Sequence, residues 1–92
     1  MNDVLQQILN NISVVLKGYP IQCKRSISLR NRLIVLYDNR VLANIDFCHT
    51  KIKHIYNLWI PVDSYIYINT ELRNKVIDKL KTYLEMMGFN KL

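Results

Sequence analysis

Residues 33–47, LIVLYDNRVLANIDF, decide the fold of this chain. Residues 33–37 are apolar at every position, which is typical of a central strand covered on both faces. Over 41–47 the odd positions are apolar and the even positions are polar except for Leu42, which predicts a half-buried strand. Asp38-Asn39-Arg40 separates the two strands, and Asp and Asn tolerate the left-handed backbone of a tight turn. The stretch therefore predicts a β-hairpin.

The length of the hairpin loop determines which side chains share a face, because residues opposite each other in an antiparallel pair point to the same side. A two-residue loop would place the polar Asn44 beside Leu33. A three-residue loop, 38–40, gives one consistently apolar face, with the pairs Tyr37–Val41, Val35–Ala43 and Leu33–Ile45. We therefore predict that odd-numbered positions face the core and even-numbered positions face away from it.

A further strand is predicted before the hairpin, over 21–29, where the odd positions are apolar except for Arg25 and the even positions are polar. A three-residue loop at 30–32 would pair Leu29 with Leu33 and Ile27 with Val35. Arg25 would then lie on the core side, opposite Tyr37, where a cation can stack on the ring.

An amphipathic helix is predicted at each end of the chain. The first begins at Asp3, with Gln6 completing a capping box. Its apolar stripe, at 3.6-residue spacing, is Leu5, Ile8, Leu9, Ile12, Val15 and Leu16. Lys17-Gly18-Tyr19-Pro20 ends it with a cation, a glycine and a proline. The last helix begins near Asn69 or Thr70 and ends at Met87-Gly88-Phe89.

Residues 50–62 admit two interpretations, a short helix or a strand over 56–60 that ends at Pro61. Residues 64–68 are predicted to be the last strand, because Tyr and Ile alternate there. The predicted fold class is α+β: an antiparallel sheet of four to five strands, with the N-terminal and C-terminal helices packed on one face, in the order α-β-β-β-(turn)-β-α. Since no repeat or linker divides it, we expect a single domain over 1–92.

The positive charge is concentrated in one part of the chain. The whole sequence has 13 Lys and Arg against 7 Asp and Glu, a net charge of +6. Residues 17–53 carry this excess, with Lys17, Lys24, Arg25, Arg30, Arg32, Arg40, Lys51 and Lys53 against only Asp38 and Asp46. A field of one sign on one element attracts an anion, most often nucleic acid.

The sequence thus predicts a small DNA- or RNA-binding protein. The cations expected to neutralise phosphates are Lys24, Arg30, Arg32, Arg40, Lys51 and Lys53, while Tyr56 or Trp59 would stack a base. The last helix carries mixed charge, which suits solvent better than a DNA groove. We therefore expect phosphate- and shape-led binding with little base readout.

Three aliphatic residues, Ile34, Leu36 and Leu42, fall in the middle of the predicted face away from the helices. Either residues 52–60 fold back over them, or this face forms a two-fold homodimer. In the alternative function, the chain is a protein-interaction or regulatory module of viral or mobile-element type, which dimerises or binds an acidic protein. Its richness in Ile, Asn, Lys and Tyr is typical of AT-rich genomes, including those of many viruses.

Neither a metal site nor a catalytic site is predicted. Cys23, Cys48, His49 and His54 contain zinc-ligand atoms, but they lack the close ligand pairs of structural zinc sites. Cys48 and His49 are adjacent on a strand, so they point to opposite faces and cannot form a nucleophile–base pair. Two glycines are too few for a glycine-rich phosphate loop. We expect no cofactor and no enzymatic activity.

Composition favours a cytoplasmic or otherwise intracellular protein. No apolar run approaches the ~20 residues of a membrane-spanning helix, so no membrane partner is expected. The start of the chain, Met1-Asn2-Asp3, is acidic, unlike a signal peptide. Two cysteines lack the density of a disulfide scaffold.

Overall fold

The structure is a computed structural model that describes residues 2–49 and 54–92. Its elements in chain order are α1 (Asn2–Val15), β1 (Ile21–Arg25), β2 (Arg32–Tyr37), β3 (Arg40–His49), β4 (His54–Trp59), α2 (Val62–Tyr67), α3 (Thr70–Met86) and β5 (Asn90–Lys91). The strands form one sheet in the order β1-β2-β3-β4-β5, antiparallel except for the parallel β4–β5 pair. The α+β class is confirmed.

Both long helices form where the apolar spacing predicts them. α1 begins at Asn2, one residue before the expected start at Asp3. Asn69 caps α3, because its side-chain oxygen accepts a hydrogen bond of 3.0 Å from the backbone N–H of Leu72. Gly18 and Gly88 follow the two helices with φ of +95° and +90°, a region that glycine enters without a Cβ clash.

The hydrophobic core lies between α1, α3 and one face of the sheet, here called the inner face. Leu33, Val35, Ala43 and Ile45 lie on the inner face and are 0% exposed. The helices contribute Leu5, Ile8, Ile12, Val76, Ile77, Leu80 and Leu84. On β2 and on most of β3 the odd-numbered side chains point inward, which confirms the predicted assignment of faces.

The β2–β3 hairpin follows only part of the predicted register. The pairs Val35–Ala43 and Leu33–Ile45 are as predicted. The turn, however, contains two residues rather than three, since Tyr37 lies opposite Arg40. Asp38 and Asn39 both have positive φ, 50° and 62°, as in the tight turns that match the twist of a hairpin.

A β-bulge in β3 allows a two-residue turn to coexist with the predicted pairs Val35–Ala43 and Leu33–Ile45. Leu36 lies opposite Val41, and the register shifts by one residue between Val35 and Leu36. Leu42 is the additional residue and is 0% exposed within the core cluster. The prediction that Leu42 faces away from the helices is therefore wrong.

β1 pairs with β2 four residues away from the predicted register. Cys23 rather than Ile27 lies opposite Val35, and Arg25 lies opposite Leu33 rather than Tyr37. The predicted strand ends early because residues 26–31 form a loop, in which Ile27 is 100% exposed. A shift by an even number of residues keeps each side chain on its expected face. The predicted faces therefore hold for Ile21–Arg25, whereas the predicted partners are wrong, and the core positions predicted for Ile27 and Leu29 are wrong because both are exposed.

The chain between β3 and α3 differs most from prediction. The strand interpretation is confirmed over His54–Trp59, whereas residues 50–53 lie outside the described part. The strand predicted over 64–68 is wrong, because Val62–Tyr67 forms the short helix α2. Pro61 before this helix and Asp63 in its first turn are typical of a helix start. β5 supplies the final strand instead.

Candidate nucleic-acid interface

The sheet face turned away from α1 and α3 is called the outer face. Its side chains form rows across neighbouring strands, one of Lys24, Ile34, Asn44 and Trp59 and the next of Arg32, Asp46 and Asn57. Lys24 and Trp59 are exposed, whereas Ile34 is half-buried. The first row therefore has a cation at one end and an aromatic ring at the other.

Arg32 forms a salt bridge with Asp46 on the outer face. Its Nε and Nη2 donate to the two carboxylate oxygens of Asp46, the second at 3.0 Å. Trp59 Nε1 donates to the same carboxylate at 3.0 Å, and the Arg32 guanidinium lies 5.1 Å from the Trp59 ring centroid. The hydrogen bond from Arg32 holds the pKa of Asp46 below its ordinary value. Arg32 is thus neutralised at short range, which makes it a weaker phosphate ligand than predicted.

Three of the other predicted phosphate ligands are exposed: Lys24 on β1, Arg30 in the 26–31 loop and Arg40 at the start of β3. Within residues 4–48 and 54–92, none of these three forms an ion pair. Arg30 and Arg40 lie near opposite ends of β2, whose six residues span about 20 Å. The three cations therefore border the outer face. Lys51 and Lys53 lie outside the described residues.

The two predicted stacking residues have different environments. Trp59 is 37% exposed, while Tyr56 is 0% exposed and lies opposite Phe47 in the core. Burial raises the pKa of Tyr56, and the negative charge of Glu85 adds to this shift. The prediction that Tyr56 stacks a base is therefore wrong.

The predicted dimer residues do not share one environment. Ile34 and Leu36 are half-buried on the outer face, whereas Leu42 belongs to the core and is not available to a partner. His54–Trp59 does not fold back over Ile34 and Leu36, because it forms β4 beside β3 in the same sheet.

α2 carries two tyrosines, Tyr65 and Tyr67, that were predicted to lie on a strand. Tyr65 and Tyr67 are more than half exposed, and each ring stacks on a guanidinium. The Arg73 guanidinium lies 4.3 Å from the Tyr65 centroid, and that of Arg40 lies 4.1 Å from the Tyr67 centroid. Arg73 is 5% exposed and donates to the backbone oxygen of Ser64 at 3.3 Å. The two arginines thus connect α2 to α3 and to β3.

A cavity of about 300 Å³ lies between α2 and the outer face. Its lining includes Arg40, Asn44, Trp59, Asp63, Ser64 and Tyr67. Ser64 is 1% exposed, and its hydroxyl has no hydrogen-bond partner in the described part of the chain. Asn44 is 7% exposed. Sequence reasoning missed this cavity because it depends on α2, where the alternation of Tyr and Ile predicts a strand; Pro61 and Asp63 are the signals that could have indicated a helix start.

The two cysteines lie in different environments, Cys48 being exposed and Cys23 half-buried. Cys23 and Cys48 are both free, and burial raises the pKa of the Cys23 thiol to about 12. A thiol with so high a pKa is a poor nucleophile. Across residues 4–48 and 54–92, no group of three or more His, Cys, Asp or Glu side chains is placed to hold a metal ion.

None of the helices in the described residues combines the length and apolar character needed to span a membrane. Comparison of the chain with models of protein families, with curated proteins and with solved structures found no match.

Proposed function

We propose that this chain is a nucleic-acid-binding protein without catalytic activity, which contacts DNA or RNA through its outer face. The observation that carries the proposal is an exposed Trp59 on a sheet face bordered by three cations, Lys24, Arg30 and Arg40, that form no ion pair within residues 4–48 and 54–92. Such a combination of backbone-tracking charge and an aromatic platform suits nucleic acid with little base readout. The proposal includes an intracellular location, where two free cysteines stay reduced.

The distance between Lys24 and Trp59, at the two ends of one row on the outer face, suits contact with a nucleic-acid strand. Lys24 on β1 and Trp59 on β4 are separated by three strand spacings, about 14 Å. A nucleic-acid backbone crossing the strands could meet Lys24 while one of its bases lies at Trp59. Arg32 contributes less, because a phosphate would have to compete with Asp46 for its guanidinium.

The test is the salt dependence of binding to labelled DNA and RNA oligonucleotides, measured by fluorescence anisotropy. Affinity should fall steeply as salt rises, and Lys24→Ala, Arg30→Ala and Arg40→Ala should each lower the slope by about 0.7 to 0.9. Lys75→Ala is the matched control, because Lys75 lies on α3 and pairs with Glu71 at 3.1 Å. Salt-independent binding, or none, would contradict the proposal.

A second candidate function is self-association through the outer face. Ile34 and Leu36 favour it, because two aliphatic side chains stay half-buried in the middle of a sheet face that neither long helix covers. In this function the chain is a dimeric regulatory module, and an acidic protein is its other possible partner. Light scattering should then give a dimer for the wild type and a monomer for Leu36→Asp. Val14→Asp is the control, at a position 71% exposed on α1. A monomeric wild type contradicts dimerisation.

A further inference from the structure

We propose that the cavity between α2 and the outer face binds one base of a single-stranded nucleic acid. This inference rests on the proposed nucleic-acid binding and specifies the form of the ligand. It would make the protein prefer single strands, in which a base is free to leave its neighbours, over a duplex, in which bases are paired and stacked.

The walls of the cavity provide stacking surfaces. Trp59 and Tyr67 both line it, and the Arg40 guanidinium lies 4.1 Å from the Tyr67 centroid. Bases stack on aromatic rings and on guanidinium planes alike. The Trp59 N–H is already bonded to Asp46, which fixes the orientation of the indole. Because the Arg32 guanidinium lies 5.1 Å from the centroid on one face of the ring, a base would stack on the opposite face.

The lining of the cavity also includes two polar side chains, Ser64 and Asn44, that suit the edge of a base. The Ser64 hydroxyl is buried and unpaired among the described residues, a state that costs free energy until a ligand supplies a partner. Asn44 lines the same cavity, and an amide offers a donor and an acceptor side by side, as the edge of a base requires.

The volume of the cavity and the charged side chains on its lining agree with a single base and its phosphate as the ligand. About 300 Å³ is at the lower limit for small-molecule pockets, which suits one ring system rather than a base pair. The lining carries one cation and one acid: Arg40 for the attached phosphate, and Asp63, whose carboxylate can accept from the amino group of a base. A larger depression of about 410 Å³ near the β2–β3 turn is lined by Asp38 but by no cation, so it lacks the sign that an anionic ligand needs.

An aromatic side chain of a partner protein is the competing occupant. A phenylalanine ring would use the same apolar walls, but it would leave the Ser64 hydroxyl unpaired and would bring no phosphate for Arg40. The cation and the unpaired hydroxyl therefore favour a base.

Trp59 is the only tryptophan of the chain, so its fluorescence reports directly on the cavity. The protein is titrated with single-stranded homopolymers of about 12 nucleotides and with a duplex of the same length. Single strands should quench Trp59 and bind more tightly than the duplex. Tyr67→Ala should weaken single-strand binding by about fivefold or more, while Tyr67→Phe should retain it.

Tyr65→Ala is the matched control. Tyr65 is as exposed as Tyr67 and also stacks on an arginine, but it does not line the cavity, so its loss should leave single-strand affinity unchanged. The comparison of single strand with duplex on the wild-type protein needs no variant, and it tests the base site even if Tyr67→Ala fails to fold.

The possible failures are distinguishable. If neither single strand nor duplex binds, the proposed function itself is wrong. If both bind equally, with salt dependence but without quenching of Trp59, nucleic-acid binding stands and the base site is overturned. A change in Trp59 fluorescence with a phenylalanine-containing peptide, but not with oligonucleotides, would assign the cavity to a protein side chain and also overturn the base site.

Discussion

The inner and outer faces of the sheet are built in different ways. On the inner face, Leu33, Val35 and Ile45 are completely buried beneath two long helices. On the outer face, Ile34 and Leu36 remain half-buried, and the ordered contacts are polar or aromatic ones around Asp46 and α2. The comparison shows that burial of apolar area stabilises this fold mainly on one side. The other side is left for charge, rings and a cavity.

The largest expected difference between the faces is in stability. Leu33→Ala should lower the free energy of unfolding by about 2–5 kcal/mol, because it opens a void in a closed core. Ile34→Ala, its neighbour on the other face, should cost less, because the site is half-exposed and solvent fills the space. Urea denaturation measures both. Equal losses would break the distinction between the faces.

A smaller effect is expected where α2 meets α3. Arg73→Ala should destabilise the protein by about 1–3 kcal/mol, since it removes the hydrogen bond to Ser64 and the stacking on Tyr65. Hydrogen exchange should show the loss first in α2. Arg73→Lys is the control, because it keeps the charge without the planar guanidinium. Uniform faster exchange throughout the sheet would show instead that Arg73 supports the core.

A still smaller effect is expected for Asp46→Asn, and it depends on pH. The pKa of Asp46 is lowered in the folded state, so the stabilisation from this carboxylate is complete above its unfolded pKa of about 3.9 and is lost as pH falls through the lower folded value. Because the pair is partly exposed, the loss at neutral pH should be below about 1 kcal/mol.

Urea denaturation of wild type and Asp46→Asn at about pH 7 and about pH 3 tests this prediction. The difference between the two proteins should shrink at the lower pH. A difference that stays constant would mean that Asp46 acts through packing rather than charge. The same substitution frees Arg32, so it should steepen the salt dependence of nucleic-acid binding.

The smallest expected effect is a difference in the rate of chemical modification between the two cysteines. Cys48 is exposed and lies opposite Ile55 on the outer face, whereas Cys23 packs against the core and has a pKa raised to about 12. Iodoacetamide should therefore modify Cys48 in the native protein well before Cys23, as read by peptide mass spectrometry. Denaturant provides the control, because it should remove the difference in rate. Equal native rates would show that the inner face opens readily.

The sequence predicts the faces of this sheet better than its partners. Alternation assigns each side chain to a face, but it contains no information that distinguishes registers two or four residues apart. Cys23 and Ile27 both satisfy the pattern opposite Val35, and only the 26–31 loop decides between them. Alternation also does not predict the bulge at Leu42, because the bulge accompanies a two-residue turn at Asp38 and Asn39.

The candidate interface was predicted less well than the fold. Charge patterning identified Lys24, Arg30 and Arg40, which the structure leaves exposed, but it did not foresee that Asp46 pairs with Arg32 from 14 residues away. The alternation of Tyr and Ile over 64–68 resembles a strand, although the same residues form a helix that buries Ser64 and exposes both tyrosines. Tertiary contacts with Arg73 and Arg40 help to hold this segment in place.

The two edges of the sheet have a consequence for aggregation. Open edge strands invite backbone pairing with other chains, and natural proteins discourage it with lysines, prolines and short covering strands. Here β1 carries an exposed Lys24 and follows Pro20, while β5 covers part of β4, and the Leu92 N–H donates to the Tyr56 backbone oxygen at 2.8 Å. Strand-by-strand growth into fibrils is thereby disfavoured at both edges of the sheet.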